Sequence, residues 1–230
     1  MVVRIGNPIP TRRRHRTQPD LLCPTRCVHH CWRSRLRLAV LLDREELLEA
    51  LRLLDQELGA VGIRGEVFVV GGAAMALAYD ARRATVDVDA IFVPAAEVRD
   101  AAARVAERLH IEEDWLNDGA KSFMPGSDPD RIGVFEGDHL SVAAASPRYL
   151  LAMKLLASRL ERDQDDIRFL YDLCGFSTAD EGLDLLESTY PNHVIAPRVQ
   201  FLLEQMFPGS ERQIQSRDAP RRDGPGIERD

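Results

Sequence analysis

The sequence predicts an α/β fold, and three observations predict it. Between residues 43 and 144, β-branched and aromatic runs alternate with stretches of helical apolar spacing. Glycine, proline and acidic turn residues separate these runs. Beyond residue 146 only helical patterns follow. A leader over 1–37, a domain over 38–207 and a tail over 208–230 are expected, with strands at about 64–145 and helices at 146–207.

The elements follow in order. Asp43 is a helix cap, Glu45 and Glu46 fill the first turn, and Leu47, Leu51, Leu54 and Leu58 recur at helical spacing. Glu66–Val70 is a β-branched and aromatic run, a buried strand that ends on Gly71-Gly72. The small residues Ala73–Tyr79 form a short helix. Thr85–Val93 alternates as a strand, with Asp87 and Asp89 on one face. Pro94 opens a helix that runs to about Leu109, and a polar loop containing Trp115-Leu116-Asn117 follows. Ile132–Phe135 and His139–Ala144 are strands about the turn Glu136-Gly137-Asp138. Ser146-Pro147 starts a helix through capping hydroxyl and proline. Further helices run from near Asp163 to Leu173 and over Asp180–Ser188.

With 230 residues, 45% hydrophobic and 29% charged, the composition is that of an ordinary globular protein. No apolar run reaches the roughly 20 residues of a membrane span. The start is polar and Arg-rich, unlike a secretory signal, so a cytoplasmic location and no membrane partner are expected. The formal charge of −7 hides an asymmetry: residues 1–37 hold nine Arg against Asp20 alone, so the rest is strongly acidic. That basic segment is either an arm for phosphates or a leader without structure. Cys23, Cys27 and Cys31 cluster beside His29 and His30, yet lack the paired knuckles of a zinc finger. Cys174 reads as a small core residue, and Trp115 as a core or lid anchor.

The chemistry concentrates where a strand runs into Gly71-Gly72 and, after 14 intervening residues, another strand carries Asp87 and Asp89. Alone, the first is a turn and the second a solvated edge; order and spacing join them. Glycines let backbone amides approach phosphate closely. Two carboxylates on one strand face suit one or two Mg²⁺ ions, the partners of phosphate chemistry. A second cluster joins Lys154 with Arg159, Asp163 and Asp166. Lys154 interrupts the apolar face of Leu151 and Leu155, so it either pairs with an anion or snorkels to water. Asp163 and Asp166 have the spacing of site acids and equally of helix-start acids. Arg82 and Arg83 precede the acidic strand, as phosphate contacts or as solvated surface.

Val69-Val70-Gly71-Gly72, Arg83-x-Thr85-x-Asp87-Val88-Asp89 and Leu150–Leu155 with Lys154, Asp163 and Asp166 resemble bacterial nucleotidyltransferases of the AbiEii type. Glu113-Asp114-Trp115-Leu116-Asn117 is similar to a subfamily with the nucleotidyltransferase fold and no established function. The resemblance covers roughly residues 64–175. It implies a small mixed sheet flanked by helices and a C-terminal helical part. It further implies Mg²⁺-dependent transfer of a nucleotide from an NTP, with Asp87 and Asp89 as metal ligands. Gly71, Gly72, Arg83 and Thr85 would contact the nucleotide's phosphates and Lys154 would hold the triphosphate. Asp163 or Asp166 would complete the catalytic acids. The implied settings are a toxin of a toxin–antitoxin or abortive-infection system, acting on tRNA and paired with an antitoxin. AMPylation of a protein, modification of a small molecule and an inactive binding module are the alternatives. One departure stands out: His139–Ala144 lacks the third carboxylate that many polymerase-like members place on a later strand. The fold therefore implies that Asp87 and Asp89 face Gly71-Gly72 across a cleft onto which Lys154 opens.

Overall fold

A computed structural model of the chain describes residues 41–80, 83–157 and 163–208. The expected leader, its Cys/His cluster, Arg82, Arg159 and the tail beyond Pro208 lie outside the described residues. Helix α1 (Arg44–Ala60) starts on a capping box, in which the Asp43 carboxylate accepts from Glu45 and Glu46 amides while Glu46 returns a bond to the Asp43 amide. Its leucines, Leu47, Leu51, Leu54 and Leu58, are buried as their spacing predicts.

Strand β1 (Gly65–Val69) leads directly into α2 (Gly71–Ala78). Strand β2 (Val88–Val93) runs antiparallel to β1, with Val69 opposite Ala90. Helix α3 (Ala95–Leu109) returns the chain to β3 (Leu116–Asn117), which pairs parallel with β2. A 3₁₀ turn at Gly119–Phe123 precedes β4 (Ile132–Glu136) and β5 (Leu140–Ala144). β5 lies parallel to β1, and the sheet order is β3-β2-β1-β5-β4. This five-stranded mixed sheet with flanking helices is the predicted fold class.

Helices α4 (Pro147–Ala157), α5 (Gln164–Cys174), α6 (Ala179–Thr189) and α7 (Pro197–Met206) complete the described chain. The Ser146 hydroxyl accepts from the Tyr149 amide, the cap foreseen in Ser146-Pro147. Tyr171 stacks on Phe207 with ring centroids 3.7 Å apart, tying α5 to the end of α7. Among the described residues, no helix is long and apolar enough to cross a membrane.

Alternate residues of the sheet, Val67, Val69, Val88, Ala90, Phe92, Leu140, Val142 and Ala144, are buried on the side of α1 and α3. The opposite face carries Glu66, Phe68, Asp89, Ile91, Ser141 and Ala143, and two hollows lie on it.

Several boundaries differ from the sequence expectation. β2 begins at Val88, so Asp87 precedes the strand instead of lying in it. The Thr85 backbone bridges to Leu42, and its hydroxyl donates to the Asp87 carbonyl at 3.0 Å, bending the chain at Val86. Val86 is consequently exposed, although its alternation with Val88 imitates a strand. Helix α2 takes in both glycines, and Pro94 caps α3 from outside rather than opening its first turn. β3, the 3₁₀ turn and α7 carry no local pattern strong enough to have been expected.

Candidate active site

The turn from β1 into α2 needs glycine first. Gly71 has φ +65°, and a Cβ there would stand 3.4 Å from Asp89 Oδ2. A Cβ on Gly72 would meet Thr85 Oγ1 at 3.0 Å. Two bare backbone units thus sit against the acidic strand. The Val70 amide donates to the Asp89 carbonyl at 2.8 Å, which holds the glycine turn level with that residue.

Gly71, Gly72, Asp89, Lys154 and Asp163 line one cleft of about 390 Å³, with Phe123 and the Gly119 turn on its rim. Asp89 and Lys154 therefore share a hollow despite 64 intervening residues in sequence. Asp87 is exposed and lies outside the lining, next to Asn117, whose amide Nδ2 donates to Asp87 Oδ2 at 3.3 Å. Asn117 Oδ1 accepts from the Gly119 amide at 2.9 Å, so one side chain ties Asp87 to the rim of the cleft. Sequence reasoning assigned Asn117 no role. Its motif is visible in the sequence, but its contact with Asp87 arises only when β3 pairs with β2.

Lys154 resolves its two alternatives in favour of anion pairing. Its side chain is 17% exposed, and Nζ lies 3.2 Å from Asp163 Oδ1 and 2.6 Å from Asp166 Oδ2. Asp166 also pairs with Arg83 Nη1. Arg83 in turn reaches Asp80 at 3.5 Å and lies over the Phe169 ring. Asp163 occupies the cap position of α5 without a side-chain capping bond. Burial alone would raise the Asp166 pKa, but bonds from Lys154 and Arg83 hold its carboxyl below the usual range. The chain thus builds two acid pairs: Asp89 beside the glycine turn with Asp87 two residues before it, and Asp163 and Asp166 paired with cations. Arg83, Thr85, Asp87 and Asp166 border the cleft residues without lining it.

Other candidates resolve more simply. Trp115 is buried at 1% exposure and donates from Nε1 to the Ala102 carbonyl at 3.0 Å, an anchor of the core. Cys174 is half-buried at the end of α5, and burial pushes its thiol up to about 11. Among the described residues, no three His, Cys, Asp or Glu side chains converge as a metal cluster. An ion held by Asp87 and Asp89 would take its remaining ligands from phosphate and water, the usual manner of Mg²⁺.

A family model for nucleotidyltransferases of unknown function (DUF6036) matches residues 46–175, more than half of the chain. The chain belongs to the DUF6036 family. That match spans the glycine turn, both acid pairs and Lys154. No curated protein and no solved structure matches the chain. The DUF6036 description gives the nucleotidyltransferase class and no substrate, which leaves the acceptor to the chemistry of this site.

Proposed function

We propose that the chain transfers a nucleotide from an NTP to an acceptor hydroxyl, with Mg²⁺ held by Asp87 and Asp89. The observation that carries this reading is the single cleft joining Gly71, Gly72, Asp89 and Lys154. Its volume of about 390 Å³ falls in the range of small-ligand sites. Gly71 and Gly72 leave their backbone open to the triphosphate, and the start of α2 adds positive dipole. Lys154 would hold the outer phosphates, exchanging part of its pairing with Asp163 and Asp166 for phosphate oxygen. Those two carboxylates hold its ammonium at the cleft before substrate arrives. Asn117 orients Asp87. The bound metal would neutralise charge developing on the phosphates. The α5 acids are balanced by Lys154 and Arg83, which favours a positioning role for them over metal ligation.

The AbiEii-type resemblance carries tRNA as the acceptor and a toxin–antitoxin setting with an antitoxin partner. Over the full chain 37 Asp and Glu face 30 Lys and Arg, with nine Arg in residues 1–37, so net charge alone does not choose among tRNA, a protein side chain and a small molecule.

The test is incubation of purified full-length chain with each α-³²P-NTP, Mg²⁺ and separate acceptor pools: total RNA, protein and small metabolites. Label transferred to any pool, and lost in an Asp87→Ala/Asp89→Ala variant, is the expected outcome. Folded protein that transfers no label from any NTP would turn the reading towards an inactive binding module.

A further inference from the structure

Beside the cleft, the same sheet face holds a second hollow of about 300 Å³. Glu66 and Phe68 of β1, Ile91 of β2, Ser141 of β5, and Asp128 and Arg131 before β4 line it. Asp89 lines the cleft and Ile91 the hollow, two residues apart on β2 and so on one face. One stretch of chain walls both spaces, with residues 119–123 at the cleft and 126–131 at the hollow. A ligand in the hollow would lie next to whatever the cleft holds.

We propose, on the reading of the cleft as the nucleotide site, that this hollow is the acceptor subsite and takes a small hydroxyl-bearing amine. Glu66 is exposed and, among the described residues, its side chain has no ion-pair or hydrogen-bond partner; the same is true of Arg131. Asp128 differs, because its carboxylate accepts from the Ser146 amide at 2.7 Å, the Ser146 hydroxyl at 3.0 Å and the Asp130 amide at 3.1 Å. Asp128 is therefore part of the wall, whereas Glu66 is the carboxylate available to an ammonium group. Arg131 can donate to a neutral oxygen of the same ligand, and Phe68 and Ile91 give its carbon skeleton an apolar floor.

The step balances without a further reactant. The acceptor hydroxyl oxygen forms a bond to the α-phosphorus, and the bond from that phosphorus to the bridging oxygen breaks. Pyrophosphate leaves with the electron pair, and the hydroxyl proton passes to water.

The experiment offers full-length protein, Mg²⁺ and α-³²P-NTP a panel of amino sugars and amino alcohols, their N-acetyl forms, and total tRNA. NTP binding is measured alongside by calorimetry. Transfer to an amine is expected, falling roughly tenfold or more on N-acetylation, which removes the charge that Glu66 meets. Glu66→Gln and Glu66→Lys should lower transfer progressively while NTP affinity stays within about twofold. Glu66 is exposed, so both variants should fold, and thermal unfolding checks this. If NTP binds but label goes to tRNA, or to acetylated and free amines alike, or to no panel member, the acceptor proposal fails and the nucleotide site stands. Unchanged transfer in Glu66→Lys also overturns it. Absence of Mg²⁺-dependent NTP binding removes both readings together.

Discussion

The two acid pairs hold the same residue type in different settings. Asp163 and Asp166 meet Lys154, and Asp166 also meets Arg83, so their charge is balanced within the protein. Asp89 stands beside Gly71, and Asp87, outside the cleft lining, takes a neutral amide from Asn117. Like charges so placed repel, and a cation relieves them. The difference teaches that counting carboxylates does not separate their roles: one pair is built into ion pairs between helices, and of the other, Asp89 lines the cleft beside Gly71.

Substitutions should separate the pairs, beginning with the largest effect. Asp89→Asn should lower nucleotidyl transfer on the order of 10³-fold, the scale of losing a metal's charge stabilisation. Asp166→Asn should lower stability and loosen the hold on Lys154. Urea unfolding should reveal a loss of roughly 2 kcal/mol, as two charge-assisted bonds weaken in a partly buried place.

The pH dependence of that loss has a definite sign. The Asp166 carboxyl is held below its ordinary value of 3.8 in the folded chain, so the unfolded chain binds its proton more readily. Its contribution is therefore full above the unfolded pKa and disappears as pH falls below 3.8 towards the folded one. Unfolding curves of wild type and Asp166→Asn should be about 2 kcal/mol apart at pH 6 and converge at the acid end. A gap that persists at low pH would mean packing, and not charge, holds α5 to α4.

Asn117→Ala sharpens the comparison further. It should weaken Mg²⁺ dependence by about tenfold, the usual effect of removing a side chain that orients a metal ligand. A titration of transfer rate against Mg²⁺ checks it. The smallest effect belongs to a control: Asp43→Ala removes the α1 cap, costs about 1 kcal/mol in thermal or urea unfolding and leaves transfer unchanged.

Much of this arrangement is readable in the sequence because it is local. Leucine spacing gives α1, the β-branched run before Gly71-Gly72 gives β1, and Ser146-Pro147 gives the start of α4. Asp89, Gly71, Gly72 and Lys154 stand out through spacing and through Lys154's place on an apolar face. What stays hidden depends on distant partners. Val86 alternates like a strand residue, yet the bridge from Thr85 to Leu42 bends the chain there. Leu116 and Asn117 become a strand only because β2 lies alongside, and Asn117 gains its contact with Asp87 from that pairing. Asp128 lies in a loop 18 residues before Ser146, and nothing nearby foretells its burial against that cap. The pairing of Lys154 with Asp163 and Asp166 lay within reach of local reasoning, because helix-start acids and a misplaced lysine invite one another.

Calorimetric titration of NTP into the full chain tests the central claim most directly, with and without Mg²⁺, in wild type and Asp87→Ala/Asp89→Ala. Saturable binding that requires Mg²⁺ and is lost in the variant is expected. Equal binding by both proteins, or none by a folded wild type, would contradict a metal–nucleotide site at Gly71-Gly72 and Asp89.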